Sequence, residues 1–371
     1  MQYIFCVVLV QVLRMIYAPM KRLVKTQKKI VYLSRQSNEP SLDMQLLSKK
    51  IQQRNPEYDQ VFRLKMLDPG LPSMIGYFFW ILGDMVQLAG ATVAICDTYS
   101  IPVSCLHHKD SLQVVQMWHA MGAVKKFGLQ SLGKEDGRDA RISQTMKMHQ
   151  NYDYVLAPSE AMGSFYEEAF GVIKEKIVLK TLPRVDYMLQ GKDKSEEFYA
   201  LNPGLRDKKM VLYLPTFREE EEEIAGSLTD AVGKNPDLHL LLSFHPLSET
   251  GEKMASGYTG DFLSYDLMKL ADVIITDYSA CVFEASLTGA PVYFYVPDYE
   301  AYQKKRGLNI DLKEELPDYV FEDAGVLTEA IGSGIYDPKD LQKFQTKYIH
   351  DTRDCTRKLA DFISLLMCSG D

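Results

Sequence analysis

Short apolar runs alternate with longer amphipathic stretches along most of the chain, and this alternation constrains the fold more than any other feature. The runs are rich in β-branched and other apolar side chains and are predicted strands over residues 29–33, 60–64, 92–96, 113–117, 154–157, 176–179, 210–213, 238–244, 273–276 and 292–295. Apolar strands separated by helix-length segments are typical of parallel sheets that helices cover on both faces. The pattern therefore predicts an α/β protein with doubly wound sheets.

The length of the chain predicts more than one domain. At 371 residues it exceeds the usual size of a single compact core. Asn202-Pro203-Gly204, a turn-forming sequence in a polar stretch, precedes a fresh predicted strand and marks a boundary. We therefore expect two Rossmann-like domains, residues 29–203 and 204–371, whose sheets face a cleft, and an N-terminal arm over residues 1–28.

The net charge of −8 conceals an uneven distribution. Residues 1–35 contain seven Lys or Arg side chains and no Asp or Glu, whereas the rest of the chain has 35 basic and 50 acidic side chains, a net charge of −15. Nucleic-acid binding depends largely on Lys and Arg side chains that neutralise phosphates. A body this acidic therefore predicts no nucleic-acid partner.

The arm has the composition of an amphipathic helix at an anionic membrane surface. Its apolar run from Tyr3 to Leu13 is about half of the ~20 residues that span a bilayer, so we expect no simple transmembrane helix. Basic residues occupy one helical face, Pro19 is expected to kink the helix, and another face has an apolar stripe of Leu9, Val12, Leu13, Ile16, Met20, Leu23 and Val24. The arm is expected to associate with a membrane. The alternative is that the stripe packs on the protein's own body.

The cysteines and acidic residues indicate no metal and no cofactor. Six cysteines are scattered without a CxxC pair, which predicts neither a zinc site nor a disulfide framework and favours a reducing cytoplasm. The segment Asn151-Tyr152-Asp153 is not the Asp-x-Asp of metal-dependent nucleotide-sugar transferases. Walker A, GxGxxG and HExxH motifs are also absent from the sequence.

The sequence QMWHAMGAVKKFG, residues 116–128, places a histidine at the carboxyl end of a predicted strand. Ligands of open α/β sheets bind at those ends, and His119 there could take a proton from a hydroxyl nucleophile. Gly122 would let the backbone approach a ligand closely, and Lys125 and Lys126 add positive charge. The alternative is a core histidine followed by two surface lysines.

A second motif, residues 271–295, predicts a phosphate site. Its buried strand ends in Thr276-Asp277-Tyr278-Ser279, and a helix follows. Ser279 and neighbouring N–H groups would then meet a phosphate, and Glu284 on the helix would reach the hydroxyls of a bound ribose. The alternative is that Asp277 and Ser279 only cap the helix.

Three further strand ends place a basic side chain beside the same kind of ligand. Arg184 follows the predicted strand 176–179, Arg218 follows 210–213, and His245 follows 238–244. Each alone is more often a surface group. Together with the two motifs above, they predict a diphosphate in an interdomain cleft.

These motifs, in this order, resemble the CDP-glycerol glycerophosphotransferase family of wall teichoic acid synthesis. The likeness covers roughly residues 90–315 and is carried by WHAMGAVKKFG, LAPSEAMGSFYEEAFG, LPRVDYM, LYLPTFRE, FHP and, above all, TDYSACVFEASLTGAPVYFYVPDYEAYQKKRG. It implies a GT-B-type enzyme, peripheral on the cytoplasmic face of the bacterial cell membrane. The enzyme would transfer glycerol phosphate from CDP-glycerol to a hydroxyl of an undecaprenyl-diphosphate-linked saccharide and release CMP.

The resemblance also implies roles for individual residues. The functional histidines would be His119 and His245, and the nucleotide and phosphate contacts would be Arg184, Arg218, Asp277, Ser279 and Glu284. Many polymerising members read Trp-His-Gly, whereas Ala120 follows His119 here. This departure and the short chain favour the primase branch, which adds the first glycerol phosphate to the N-acetylmannosaminyl-N-acetylglucosaminyl lipid.

Other functions fit parts of the same pattern. They are a glycerol or ribitol phosphate polymerase, a GT-B nucleotide-sugar glycosyltransferase, and a catalytically silent nucleotide-binding scaffold. The sequence leaves open whether the chain forms a homo-oligomer.

Overall fold

The computed structural model describes residues 2–67, 71–245 and 248–368. The strands are β1 (Lys29–Ser34), β2 (Asp59–Leu64), β3 (Val93–Cys96), β4 (Gln113–Gln116), β5 (Tyr154–Ala157), β6 (Ile177–Leu179), β7 (Lys209–Leu214), β8 (Leu238–Leu242), β9 (Val273–Thr276), β10 (Val292–Tyr295) and β11 (Val320–Phe321). Each sequence-predicted strand overlaps one of these, and the two-residue β11 was not predicted.

The α-helices lie between the strands and at both ends of the described chain. They are α1 (Gln2–Leu23), α2 (Leu42–Arg54), α3 (Leu71–Gly90), α4 (Ile101–Cys105), α5 (Ala140–Thr145), α6 (Glu160–Phe170), α7 (Arg184–Gln190), α8 (Ser195–Leu201), α9 (Glu221–Val232), α10 (Thr250–Lys253), α11 (Ser264–Leu270), α12 (Cys281–Ala285), α13 (Tyr299–Lys305), α14 (Leu312–Glu315), α15 (Ala324–Ser333), α16 (Pro338–Tyr348) and α17 (Cys355–Cys368). Short 3₁₀ helices cover Gly128–Ser131, Lys174–Lys176, Pro203–Leu205 and Pro317–Tyr319.

The chain divides into two compact units. The N-terminal unit contains Met1–Met121, Lys126–Asp186 and Asp351–Asp371, and the C-terminal unit contains Gly122–Lys125 and Tyr187–His350. The sequence instead predicted boundaries after residues 28 and 203. The N-terminal arm and the C-terminal segment both belong to the N-terminal unit because α1 packs inside it and α17 contacts its helix α2. There, Asp186 accepts hydrogen bonds from the backbone N–H groups of Cys355 and Thr356.

Each unit is built on one parallel sheet. The N-terminal sheet has the strand order β2-β1-β3-β4-β5-β6, and the C-terminal sheet has the order β11-β10-β9-β7-β8. All of their strand pairs are parallel, and in the N-terminal register Val31 lies opposite both Val61 and Ala94. The predicted α/β class with two doubly wound parallel sheets is confirmed.

Local sequence signals explain where several helices begin and end. Ser41 begins α2 and Ser159 begins α6, and each side-chain oxygen accepts a hydrogen bond from an N–H in the first helical turn. Gly171 ends α6 at φ +62°, a left-handed conformation that costs glycine little. Asp337 caps α16, where Pro338 occupies the first helical position.

The helix α1 is an integral part of the N-terminal unit. Val10, Leu13 and Tyr17 are buried in a core shared with Tyr77 and Ile81 of α3. Arg14 Nε donates to the Cys105 carbonyl, and Lys21 Nζ donates to the His107 carbonyl. These contacts tie one face of the helix to the body of its unit.

Two expectations concern this segment. The helix continues through Pro19, and its stretch Tyr3–Leu23 is, by length and composition alone, long and apolar enough to cross a membrane, whereas the sequence analysis counted only the apolar run Tyr3–Leu13. The predicted membrane-facing stripe is largely packed on the unit, since Leu13 is buried and Leu9, Ile16, Met20 and Val24 contact the same core. Most of the stripe thus packs on the protein's own body, against α3 and its neighbours, while membrane association of the arm stays a prediction.

Packing of α1 in the core is tested by the substitution Leu13→Ala. The side chain is fully buried, so its truncation is expected to lower the free energy of unfolding by about 2–4 kcal/mol. Met15→Ala is the matched control, because Met15 is 67% exposed and its truncation should cost no more than about 0.5 kcal/mol. Both tryptophans, Trp80 and Trp118, lie in the N-terminal unit, so tryptophan fluorescence during urea titration measures this transition. Equal effects of the two substitutions would contradict the packing described here.

Candidate functional site

His119 lies just beyond the carboxyl end of β4, on a turn that the preceding residues hold in place. Trp118 has φ +62°, a left-handed conformation that is unusual for a bulky residue. Its N–H donates to Gln116 Oε1 at 2.9 Å, and Gln116 Nε2 donates to the Thr98 carbonyl at 3.2 Å. Gln116 is fully buried. Its amide therefore ties the turn to the loop that follows β3.

The imidazole of His119 has a defined orientation. Its Nδ1 lies 3.0 Å from the backbone carbonyl oxygen of Asp97. A carbonyl oxygen only accepts hydrogen bonds, so Nδ1 carries the proton. In the neutral ring, Nε2 then carries the lone pair. The half-buried His119 thus presents Nε2 as the basic atom.

A buried ion pair between Arg184 and Asp43 contacts the backbone of the same turn. Arg184 Nε donates to Asp43 Oδ2 at 2.7 Å, Arg184 Nη2 also contacts that oxygen, and the Arg184 backbone N–H donates to Asp43 Oδ1 at 2.7 Å. Arg184 Nη2 also donates to the backbone carbonyl of His119 at 2.9 Å. The sequence predicted that Arg184 contacts phosphate. The structure shows its guanidinium bound to a carboxylate and to the backbone of His119.

Aromatic side chains enclose the other side of the turn. Trp118 stacks on Phe127 at 4.8 Å between ring centroids and meets Phe170 edge-on at 5.2 Å. His149 lies in the same cluster, and Tyr152 Oη is 3.0 Å from its Nδ1. Burial, followed by the charges of Arg138 and His119, lowers the pKa of His149 to about 3. His149 is therefore neutral near pH 7.

Asp97 is a buried carboxyl group beside this turn. Its side chain is 2% exposed, and its Oδ1 has no hydrogen-bond partner. Burial raises the pKa of Asp97 to about 7, and the charge of Asp43 adds to the shift, while Ser34 and Arg184 oppose it. Asp97 is therefore partly protonated near neutral pH.

In the C-terminal unit, Asp277 is the centre of a second buried network. It follows β9 and is fully buried. Its carboxylate accepts hydrogen bonds from the N–H and hydroxyl of Thr216, from the N–H of Ser279, and from Arg218 Nη2 at 2.9 Å. Asp277 therefore joins the loops that follow β7 and β9.

Arg218 is held by two carboxylates and two aromatic rings. Besides Asp277, it contacts Asp298, to which Nη1 donates at 2.6 Å. The guanidinium lies 5.4 Å from the ring centroid of Tyr278 and 5.7 Å from that of Tyr302. Burial alone would lower the pKa of Arg218, but Asp277 and Asp298 raise it. Arg218 is therefore permanently charged, and its charge is balanced within the protein.

Ser279 and Glu284 occupy the short segment after β9. Ser279 Oγ accepts a hydrogen bond from the Cys281 N–H at 3.4 Å, and α12 begins at Cys281. Glu284 lies on α12 and is 3% exposed. Asp277, Ser279 and Glu284 thus share one strand–turn–helix, as the sequence predicted.

Basic side chains gather near this network. His245 follows β8 at the surface, with its ring 5.8 Å from that of Phe217. Partial desolvation and the charge of Lys125 lower the pKa of His245. Burial and the charges of Arg306 and Arg218 lower the pKa of Lys125 to about 8, although Asp277 opposes the shift. Pro246, the last residue of the predicted Phe-His-Pro motif, lies outside the described residues.

The residues 122–125 belong to the C-terminal unit although His119 belongs to the N-terminal unit. The backbone carbonyl of Val124 accepts from the N–H groups of Asn309 and Ile310. Gly122 packs against Phe283, where an added Cβ would lie 2.2 Å from a ring carbon. The sequence predicted that Gly122 lets the backbone approach a ligand closely, and in the structure the Phe283 ring fills the space where its Cβ would be. The motif that looked like one site in the sequence is divided between the two units.

The sequence interpretation missed several residues of these networks, among them Asp43, Asp97, Gln116 and Asp298. Asp97 directly follows the apolar run of β3, so an acidic residue after a buried strand was an available signal. Asp43 and Arg184 are 141 residues apart, and no spacing rule connects them. Among the described residues, no group of three or more His, Cys, Asp or Glu side chains could hold a metal ion.

Comparison with known proteins finds one matching family. The family model described as CDP-glycerol:poly(glycerophosphate) glycerophosphotransferase matches residues 15–363. A teichoic acid ribitol-phosphate primase of Bacillus spizizenii is 30% identical over 359 residues, which covers 92% of each chain. A teichoic acid glycerol-phosphate primase of Bacillus subtilis is 32% identical over 232 residues, 58% of each chain. A teichoic acid glycerol-phosphate primase of Staphylococcus aureus is 30% identical over 75% of this chain and 77% of its own.

Solved structures share the fold. The wall teichoic acid polymerase TagF in its H548A form aligns with a TM-score of 0.69 at 19% identity, covering 99% of this chain and 96% of that one. A complex of Staphylococcus aureus MnaA with UDP aligns with a TM-score of 0.58 at 16% identity, covering 91% and 96%. These likenesses show a GT-B-type fold.

The raised pKa of Asp97 predicts a pH dependence of stability. The pKa of this carboxyl is about 7 in the folded protein and ordinarily 3.8, so the folded state binds the proton more tightly than the unfolded state does. The contribution of this group to the free energy of unfolding is complete below about pH 4 and is lost as the pH rises to about 7. Asp97→Asn removes the ionised form. The difference in free energy of unfolding, variant minus original protein, is expected to rise by about 2–4 kcal/mol as the pH increases from about 4.5 to about 7.5.

Urea titrations at several pH values measure this difference. Asp59→Asn makes the same substitution at an exposed position of β2 and is the control. A pH-independent difference between Asp97→Asn and the original protein would contradict the prediction.

Proposed function

The chain belongs to the CDP-glycerol:poly(glycerophosphate) glycerophosphotransferase family, and we propose that it acts as a teichoic acid primase. It transfers glycerol phosphate from CDP-glycerol to a hydroxyl of an undecaprenyl-diphosphate-linked N-acetylmannosaminyl-N-acetylglucosaminyl acceptor. The observation that carries the proposal is the orientation of His119, whose Nδ1 is bound to the Asp97 carbonyl. This contact presents Nε2 as a base for a hydroxyl nucleophile.

The reaction is an in-line displacement at the β-phosphorus of the donor. The acceptor hydroxyl oxygen forms a bond to that phosphorus while its proton moves to His119 Nε2. The bond between the β-phosphorus and the bridging oxygen breaks, and CMP leaves with the electron pair. Positioning and charge neutralisation provide most of the rate enhancement in such transfers.

Residues of the C-terminal unit bind the donor in this proposal. His245, Ser279 and Lys125 contact the diphosphate, and Glu284 contacts the ribose. Arg218 and Asp277 hold the loops after β7 and β9 in the binding conformation. Lys125 supports the assignment because burial, followed by the charges of Arg306 and Arg218, lowers its pKa, and a bound anion would favour its charged form.

A ribitol phosphate donor is the second candidate. It is favoured by the ribitol-phosphate primase, the relative that matches 92% of this chain. Incubation of a short-chain lipid disaccharide with CDP-glycerol, CDP-ribitol or a UDP-sugar, followed by mass spectrometry, distinguishes the candidates. One added glycerol phosphate supports the proposal. Ribitol addition, repeated addition or sugar transfer identifies the ribitol primase, the polymerase or the glycosyltransferase instead.

Attachment to the cytoplasmic face of the membrane is part of the proposal. The helices α1 and α3 pack together and leave outward apolar side chains, here called the apolar face: Ile4, Phe5, Val8 and Met15 of α1 with Met74, Ile75, Phe79 and Val86 of α3. Exposed Arg22, Lys25 and Lys28 lie at and beyond the end of α1. Exposed apolar surface with adjacent basic side chains suits an anionic bilayer.

The role of His119 is tested by His119→Ala. Loss of a general base is expected to lower kcat by about 10²- to 10⁴-fold while the Kd for CDP-glycerol changes little. CMP release measures the first quantity and isothermal titration the second. His350→Ala, an exposed histidine of the C-terminal unit, is the control and should keep full activity. Near-normal turnover in a folded His119→Ala protein would refute the assignment.

Membrane attachment is tested on the apolar face. The double substitution Ile4→Glu and Phe79→Glu places two charges on side chains that are each 66% exposed, and it is expected to reduce binding to phosphatidylglycerol vesicles about 10-fold or more. Flotation of vesicles measures the bound fraction. Val326→Glu with Ile335→Glu makes matched changes at exposed positions of the C-terminal unit and should leave binding unchanged. Unaltered flotation of the first variant would show that another surface binds.

A further inference from the structure

Arg35 lies at the position in the N-terminal sheet where ligands of this architecture bind. It directly follows β1, and its N–H donates to Thr98 Oγ1, just beyond β3, at 3.1 Å. The strand order β2-β1-β3 makes the gap between β1 and β3 a switch point, because the chain leaves β1 toward one side and returns on the other. Ligands of open α/β sheets bind outside the carboxyl ends of the strands at such points.

The guanidinium of Arg35 is placed without a counter-ion. It lies 5.5 Å from the ring centroid of Tyr77 on α3, and its buried Nε has no hydrogen-bond partner. Arg138, in the loop before α5, is its cationic neighbour. Although much of its surface is exposed, partial desolvation and the charge of Arg35 lower the pKa of Arg138.

Six of the thirteen arginines form ion pairs with acidic side chains among the described residues. Those that form ion pairs with carboxylates are Arg54, Arg63, Arg184, Arg206, Arg218 and Arg357. Among the residues that the structure describes, neither Arg35 nor Arg138 forms such a pair. Two neighbouring guanidinium groups, one with a buried donor that lacks a partner, are unfavourable until an anion joins them.

This arginine pair is connected to the turn that holds His119. The Tyr99 ring, which follows Thr98, lies 5.8 Å from the His149 ring. His149 lies 6.1 Å from Trp118, and Trp118 lies 4.1 Å from His119, measured between ring centroids. The charges of Arg138 and His119 both act on His149. Arg138 and His119 therefore flank the same buried imidazole.

On the side of Arg35 away from His119 lies α3, whose outward side chains form part of the apolar face. Tyr77, beneath Arg35, is buried, whereas Met74, Ile75 and Phe79 are exposed on the same helix. Within the N-terminal unit, the order is thus an apolar surface, two unneutralised guanidinium groups and a histidine base. A molecule with a lipid chain, an anionic centre and a hydroxyl group matches this order.

We propose that Arg35 and Arg138 bind the diphosphate that joins the lipid to the sugar of the acceptor. Each guanidinium offers a planar pair of donors, so two arginines match the two phosphates. The inference rests on the proposed function, because it assigns the anionic group of that function's acceptor. It assigns no part in donor binding to either arginine.

The test compares two short-chain acceptors that carry the same disaccharide, one through a diphosphate and one on an alkyl chain without phosphate. In the protein with Arg35→Gln and Arg138→Gln, KM for the diphosphate acceptor is expected to rise about 10- to 100-fold, with kcat and the CDP-glycerol KM nearly unchanged. KM for the phosphate-free acceptor should not change. Arg353→Gln, at an exposed position of the N-terminal unit, is the control. An equal rise for both acceptors, or a raised donor KM, would overturn the proposal.

A binding measurement separates this inference from the proposed function. Isothermal titration with farnesyl diphosphate requires no turnover, so it tests the arginine pair even if CDP-glycerol proves not to be the donor. Weaker binding to the double variant, partly restored when Arg35→Lys replaces Arg35→Gln, supports the site. Unchanged farnesyl diphosphate binding together with lost flotation on phosphatidylglycerol vesicles would overturn it, because the arginines would then bind phospholipid headgroups. Circular dichroism of each variant verifies its fold.

Discussion

A buried ion pair between an aspartate and an arginine organises each unit at the carboxyl ends of its strands. Arg184 and Asp43 form the pair of the N-terminal unit, and Arg218 and Asp277 form that of the C-terminal unit. The side chains are between 0% and 9% exposed, so removal of either partner would leave an uncompensated buried charge, at a cost of about 3–5 kcal/mol. The loops that carry the candidate site residues depend on these pairs.

Because these ion pairs neutralise two arginines, the positive charge available to an anionic ligand comes from other side chains. Arg184 and Arg218 follow strands and look like phosphate ligands in the sequence, but carboxylates already neutralise both. Lys125 in one unit and Arg35 in the other form no ion pair among the residues that the structure describes. An anion gains more free energy from a charge without a counter-ion than from one that a carboxylate must share. The buried arginines therefore position loops, and their less conspicuous neighbours supply net positive charge.

The fold was largely predictable because its signals are local. Apolar runs marked the strands, and capping residues such as Ser159 and Asp337 marked helix starts. The short strand β11 was not predicted, because two residues are too few to show a strand periodicity. The return of α17 to the N-terminal unit depends on Asp186 and on contacts with α2, which no local pattern specifies. The stripe on α1 was recognised, but a stripe alone does not distinguish a bilayer from the protein's own core, and α3 covers most of it.

The α/β class, the family and the placement of His119 and Asp277 at strand ends follow from the amino-acid sequence, because strand periodicity and motif order are properties of neighbouring residues. Which nitrogen of His119 is basic depends on the folded structure, since the Asp97 carbonyl that fixes it lies 22 residues away. The pairing of Arg184 with Asp43 across 141 residues depends on the folded structure as well. Charge compensation and hydrogen-bond direction depend on distances in space, and the linear order of residues does not contain them.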